Sequence, residues 1–201
     1  VITEKIRYLI ESCHLAPHRL LALTFTDKAA AQMLDRLDVV MPLGYQEPWI
    51  STFHSFADRV LRAEGLEIGL DPSYQIISRS QQWILVKKHL FKFALSYYRP
   101  LGNPAKFITA LLTLFSRAQD EAVTPEEFLI YAQTQVKTAS SPEDKETASK
   151  LLEVALAYAT YQDLKIANSV LDFGDLITQT IKLFTTHPQF LLNTDFNLSI
   201  Y

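Results

Sequence analysis

Cysteine is nearly absent: Cys13 stands alone among 201 residues. That excludes an internal disulfide and any zinc site built from cysteine pairs. A reducing, cytoplasmic compartment is the matching expectation. Glycine is also scarce, at five residues, although the strand-to-helix turns of an α/β protein usually consume it. The shortage predicts a mainly helical chain. Basic excess is missing too, with a formal net charge of -3 and a pI near 6.0. No global positive field advertises nucleic acid, so any such contact must be local. Long apolar runs are absent as well. The stretch from Ile108 to Phe115 is broken by threonines and is far shorter than the roughly 20 residues that span a bilayer. Glu4, Lys5 and Arg7 punctuate the opening with no apolar segment of signal-peptide type after them. No membrane partner is predicted.

What remains is a globular composition, 48% hydrophobic and 20% charged, able to bury a core. Residues 3–12 show helical spacing, with Ile6, Leu9 and Ile10 on one face. The apolar run from Leu20 to Phe25 has the length of a strand buried on both faces. Thr26 and Asp27 then supply an N-cap for a helix over 28–39. Residues 49–52 read as a second short strand and 53–63 as a second helix, before Gly65, Gly69 and Pro72 break the pattern. Beyond that, helical spacing dominates over 80–95, 104–119, 125–136 and 142–168. Thr124-Pro125-Glu126-Glu127 and Ser141-Pro142-Glu143-Asp144 are two helix starts of the same design: a capping hydroxyl, proline at the first position and acids in the first turn. An α/β opening, a helical middle and a helical return from about Asp172 together suggest an inserted helical subdomain.

Four segments carry candidate chemistry. Thr24 to Ala30 lies at the first strand-to-helix junction, where ligands gather in open α/β sheets. The helix start there favours phosphate, with Thr26 and Lys28 as further donors. Phe25 either offers a ring to an unstacked base or packs in the core, and Asp27 caps. The segment Ser51 to Phe56 repeats the arrangement, placing Thr52, Phe53, His54 and Ser55 at a helix start. His54 has no carboxylate or cysteine partner at metal spacing, and Ser55 lacks an elbow motif, so neither a metal site nor a nucleophilic pair is predicted. Phe115 to Glu121 closes a long amphipathic helix and contains Ser116 and Arg117. Asp172 and Asp175 open the last helix. They could serve as paired acids or metal ligands, but their position favours capping free N–H groups.

Taken in order, these segments resemble one family. Thr24-Phe25-Thr26-Asp27-Lys28-Ala29-Ala30 is similar to motif Ia, T-F-T-N-K-A-A, of the UvrD/Rep/PcrA-like superfamily 1 DNA helicases. Ser51-Thr52-Phe53-His54-Ser55 resembles their motif Ib, G-T-F-H-S. Ser116-Arg117-Ala118-Gln119, followed by Thr124-Pro125-Glu126-Glu127-Phe128, looks like the family's S-R-A-K block and T-P-E-E-F continuation. Asp172-Phe173-Gly174-Asp175-Leu176 is similar to D-F-D-D-L at the return to the motor domain. The likeness runs from about Thr3 to about Pro188.

The resemblance implies an α/β fold that is mostly helical overall. It would be an incomplete P-loop NTPase (RecA-like) motor domain over 1–66, an all-helical inserted subdomain over 67–168, and a truncated return over 169–201. It implies single-stranded DNA as partner, alongside the remaining helicase domains of a parent protein. Phe25, Thr26 and Lys28 would lie along the strand path, and Thr52, Phe53, His54 and Ser55 would contact its backbone and bases. Ser116 and Arg117 fall in a block joining the insertion to the motor and are carried with the strand-contacting residues. Asp172, Phe173 and Asp175 would shape the motor-domain return. The phosphate loop and the D-E-F-Q-D segment that holds magnesium are not found in the chain, so ATP and Mg²⁺ are expected for the parent and no cofactor for this chain. The expectation is a fragment of a DNA-repair-type ATP hydrolase that does not itself hydrolyse ATP, with marginal stability and exposed sheet edges. Alternatives are a non-catalytic module for single-stranded DNA or protein, a helical interaction domain of other descent, or part of a helicase–nuclease.

Overall fold

The computed structural model describes residues 2–42 and 44–190. Helix predominates. The described chain divides into two compact units: residues up to Pro72 together with those from Gln179 onward, and Ser73–Thr178.

The first unit contains α1 (Ile2–Glu11), β1 (Leu21–Thr24), α2 (Asp27–Val40), β2 (Trp49–Thr52) and α3 (Phe53–Glu64). Strands β1 and β2 are parallel, with Leu21 opposite Trp49 and Thr24 opposite Thr52. Both strands therefore end at the same edge, and each gives way at once to a helix. The switch is local chemistry. The Thr26 hydroxyl accepts the Ala29 N–H at 3.1 Å and the Thr52 hydroxyl accepts the Ser55 N–H at 3.2 Å, each satisfying a donor that the helix itself cannot. Ile6, Leu20, Ala30, Leu37, Met41 and Ile50 form the core of this unit. Gly69, at φ 76°, closes the short 3-10 turn Gly65–Ile68 in a left-handed conformation that glycine adopts without strain.

The run from Leu20 to Phe25 forms a four-residue strand whose side chains are half-buried, not buried on both faces. Phe25 lies beyond the ladder and is 88% exposed. The ladder stops at Thr24 and the chain must turn for the Thr26 cap, so the last apolar residue of the run falls outside the sheet.

The second unit contains β3 (Gln75–Ile76), α4 (Arg79–Lys88), α5 (Ile108–Asp120), α6 (Pro125–Thr138), α7 (Pro142–Ala167) and β4 (Val170–Leu171). Helix α8 (Phe173–Thr186) begins in it, and the division of the chain falls within that helix. The two-residue strands β3 and β4 pair in parallel and are too short for any periodic signal in the sequence. Helices α6 and α7 begin where expected, each with a complete capping box: Thr124 with Glu127, and Ser141 with Asp144. Hydrogen bonds from Thr124 hold the Glu127 carboxyl below its ordinary range, and those from Ser141 do the same for Asp144.

Helix α4 ends at Lys88, seven residues earlier than its pattern suggests. A 3-10 turn over Leu90–Lys92 sends Leu90 and Phe93 into the core. The Glu153 carboxylate on α7 then accepts the N–H groups of Ser96 and Tyr97, each at 3.0 Å. Donors that a continuing helix would use internally go to a side chain instead. The core of this unit centres on Phe115, whose ring stacks with Tyr158 at 5.2 Å and Tyr161 at 5.3 Å. Each such pair contributes about 0.5–1.5 kcal/mol beyond burial.

Candidate nucleic-acid interface

The register of β1 and β2 fixes the first site. With Thr24 opposite Thr52, the next residue of each chain segment is a phenylalanine at the same sheet edge. The Phe25 and Phe53 rings lie 5.3 Å apart, tilted by 44°. Phe25 is 88% and Phe53 39% exposed. Exposed aromatic pairs are unusual because burying each ring is worth about 1.5–3 kcal/mol. Left in water, they offer a stacking surface.

Around the rings stand the starts of α2 and α3, whose free N–H groups and dipoles favour an anion. Thr26, Asp27, Lys28, His54 and Ser55 are exposed here. Thr52 differs: it is buried, and its hydroxyl both caps α3 and donates to the Ser55 hydroxyl at 2.9 Å. Its observed work is in shaping the turn. Beneath the edge, Trp49 packs on Phe56 at 5.1 Å, and the Arg59 guanidinium lies 4.2 Å over the indole ring. These contacts tie α3 to β2, so the helix start that carries Phe53 is held by packing.

The other predicted residues belong to the second unit. Ser116 and Arg117 are exposed near the end of α5. Phe173, in the first turn of α8, is 53% exposed. Asp172 and Asp175, by contrast, are buried and cap reciprocally: the Asp172 N–H donates to Asp175 Oδ2 at 2.8 Å, and the Asp175 N–H to Asp172 Oδ1 at 3.0 Å.

The same carboxylates also bind partners from distant segments. Lys165 Nζ lies 2.7 Å from Asp172 Oδ2 and 2.6 Å from Asp175 Oδ2. Gln119 Nε2 donates to both acids, at 3.1 and 2.8 Å, and the Tyr161 hydroxyl donates to Asp172 at 2.9 Å. Burial pushes the Asp175 carboxyl above the ordinary range, against the pull of Lys165 and with the Asp172 charge adding to the rise. Burial opposes ionisation of Asp172 too, but Lys165 and the hydrogen bonds to its carboxylate outweigh it and hold that group low. Burial, then Asp172, drives the Tyr161 hydroxyl far upward, and burial takes Tyr158 to about 12. With their oxygens so engaged, the two acids fit a structural role, not magnesium binding. Among the described residues, no cluster of three or more histidine, cysteine or acidic side chains could hold a metal.

Sequence reasoning missed Gln119, Tyr161 and Lys165 as members of this cluster, and also a charge segregation. Between Asp71 and Asp120 the chain has no acid, yet it carries Arg79, Lys87, Lys88, Lys92, Arg99, Lys106 and Arg117. A windowed charge count finds this run where a whole-chain total hides it. Part of it lines an open hollow of about 760 Å³ with Tyr97, Arg99, Lys106 and Phe107 in its wall.

Comparison with known proteins gives the lineage. The family model of the UvrD/REP helicase N-terminal domain matches residues 1–199. The chain is 36% identical over 192 residues to the ATP-dependent DNA helicase PcrA of Bacillus subtilis, covering 95% of this chain and 23% of that protein. It is 34% identical over 195 residues to the PcrA of Leuconostoc citreum, covering 95% of this chain and 23% of that protein. It is 32% identical over 191 residues to a probable DNA helicase II homolog of Mycoplasma capricolum, covering 95% of this chain and 24% of that protein. The chain thus spans about a quarter of the length of these relatives. With the ordered motif segments and the helix-rich fold, this match establishes that the chain belongs to the UvrD/REP helicase N-terminal domain family.

Proposed function

We propose that the chain is the strand-contacting part of an ATP-dependent DNA helicase that moves on single-stranded DNA. The observation that carries this reading is the exposed Phe25–Phe53 pair at the shared end of β1 and β2, between two helix starts. Stacked bases suit the rings, and phosphates suit the helix termini with Thr26, Lys28, His54 and Ser55. Thr52 acts through its cap. The acid-free basic run of the second unit, which includes Arg117, supports further backbone contacts there together with Ser116.

The first unit is proposed as part of a RecA-like P-loop motor domain and the second as its helical insertion, with α8 leading back to the motor. Hydrolysis needs a phosphate cradle, magnesium and a positioned water. No glycine-rich phosphate loop or D-E-F-Q-D segment occurs in the chain's sequence. On this reading the chain's residues supply no cradle for ATP and Mg²⁺, which are assigned to the full-length parent, and the chain by itself contacts the strand without turning over ATP.

The test is binding of a fluorescent oligothymidylate to the purified chain, alongside Phe25→Ala and Phe53→Ala. Each ring removed should weaken binding by about 1–3 kcal/mol, and affinity should fall steeply with salt. Equal affinity of both variants and the parent for the oligonucleotide would refute the assignment.

A further inference from the structure

We propose that Gln119 and Gly174 form a matched pair that locks the end of α5 onto the start of α8. Gln119 is buried, and its two amide N–H bonds are divided between the two acids, one to Asp172 and one to Asp175. With Lys165, Tyr161 and the two reciprocal backbone donors, every oxygen of both carboxylates receives two donors. Among the described residues, no buried side-chain polar atom is left without a partner. Such a network is stable only when complete.

Position 174 is where that completeness is set. A Cβ there would lie 2.8 Å from Gln119 Oε1, 2.9 Å from its Cδ and 3.2 Å from its Cβ. The amide could swing aside only by giving up both bonds to the acids, and the Gln119 Cβ could give way only with a shift of the α5 backbone. Gly174 adopts no positive φ, so the requirement is for space, not for backbone freedom. In the S-R-A-K and D-F-D-D-L patterns that these segments resemble, the two positions are lysine and aspartate. This chain departs at both, and these two positions touch. Exchanging lysine for glutamine and aspartate for glycine removes one charge of each sign, so the net charge of the site is unchanged. A neutral amide over a glycine stands where an opposite-charge contact would fit. One substitution without the other leaves either a clash beside a third carboxylate or a lysine with no carboxylate at position 174 to face it.

The test is a double-mutant cycle in the full chain, read as the folding equilibrium from urea titrations followed by Trp83 fluorescence. Gly174→Asp should lower the folding equilibrium constant by about 10- to 100-fold. Adding Gln119→Lys should recover at least about fivefold of that loss, whereas Gln119→Met, similar in length but neutral, should recover less. If Gly174→Asp does not fold, the milder pair Gly174→Ala and Gln119→Ala closes a second cycle, in which the double variant should again exceed the product of the singles. Effects that multiply independently in the cycle measured, or a Gly174→Asp protein as stable as the parent, would overturn the pairing.

Discussion

Replacing Lys165 with methionine removes the only cation that touches Asp172 and Asp175 among the described contacts, while keeping most of the side-chain volume. At 2.6 and 2.7 Å and an effective dielectric of about 20, each contact is worth about 6 kcal/mol of Coulomb attraction. Desolvation offsets most of it, because the lysine side chain is 1% exposed and the acids are almost as deeply buried. Stripping one partner from a buried pair still costs about 3–5 kcal/mol, since the remaining charges stay buried and unpaired. With a urea dependence of about 2 kcal/mol per molar, the unfolding midpoint should fall by about 2 M. The two tryptophans make the assay specific: Trp83 reports on the second unit, which holds the cluster, and Trp49 on the first. The deficit should also depend on pH. In the parent, Asp172 is held low, so its stabilisation is present above the unfolded carboxylate value and lost as pH falls through its folded value. Asp175 is raised, so its contribution is complete below the unfolded value, about 4, and is lost as pH rises through its folded value. Without Lys165 both acids shift upward, and the variant's deficit should be smaller at pH 5 than at pH 8. A Trp83 midpoint unmoved by Lys165→Met, at either pH, would refute this account of the cluster.

Ala122 follows α5 at φ 54°, a left-handed conformation that costs a side chain about 1–2 kcal/mol. Ala122→Gly should therefore stabilise the chain by about 0.5 kcal/mol after the added unfolded-state entropy is subtracted, seen as a small rise in melting temperature. Thr124→Ala should cost about 1 kcal/mol through loss of the α6 cap, and should return the Glu127 carboxyl only partway toward its ordinary titration range by NMR, because the Thr124 backbone N–H, which depresses it more than the side chain does, remains. Glu153→Ala should release the N–H groups of Ser96 and Tyr97, speeding their hydrogen exchange by about tenfold or more while amides in the α7 interior keep their protection.

The starts of α2, α3, α6 and α7 were legible because each is written within four residues. Thr26, Thr52, Thr124 and Ser141 cap donors three positions along, and the apolar spacing that follows names the buried face. The sharing of one edge by the two aromatic junctions was only half legible. Each strand–cap–helix unit could be read by itself, but the parallel pairing that brings Phe25 within 5.3 Å of Phe53 joins residues 28 apart in the chain. Hydropathy alone left Phe25 open between core and surface. The early stop of α4 was hidden because the contacts that hold the segment after it, such as those of Glu153 with the N–H groups of Ser96 and Tyr97, come from more than fifty residues away.

Sequence alone thus determined the helical character, the capped starts and the family, since these rest on local backbone chemistry and on ordered short segments. Tertiary structure decided which polar residues are buried and what they hold. Lys165 reads as one more charge near the end of a long helix, and Gln119 as one more amide on an amphipathic one. Only folding brings Gln119 from α5 and Lys165 from α7 onto the same two carboxylates at the start of α8. There, removal from water makes each hydrogen bond and each charge count for far more than its place in the sequence suggests.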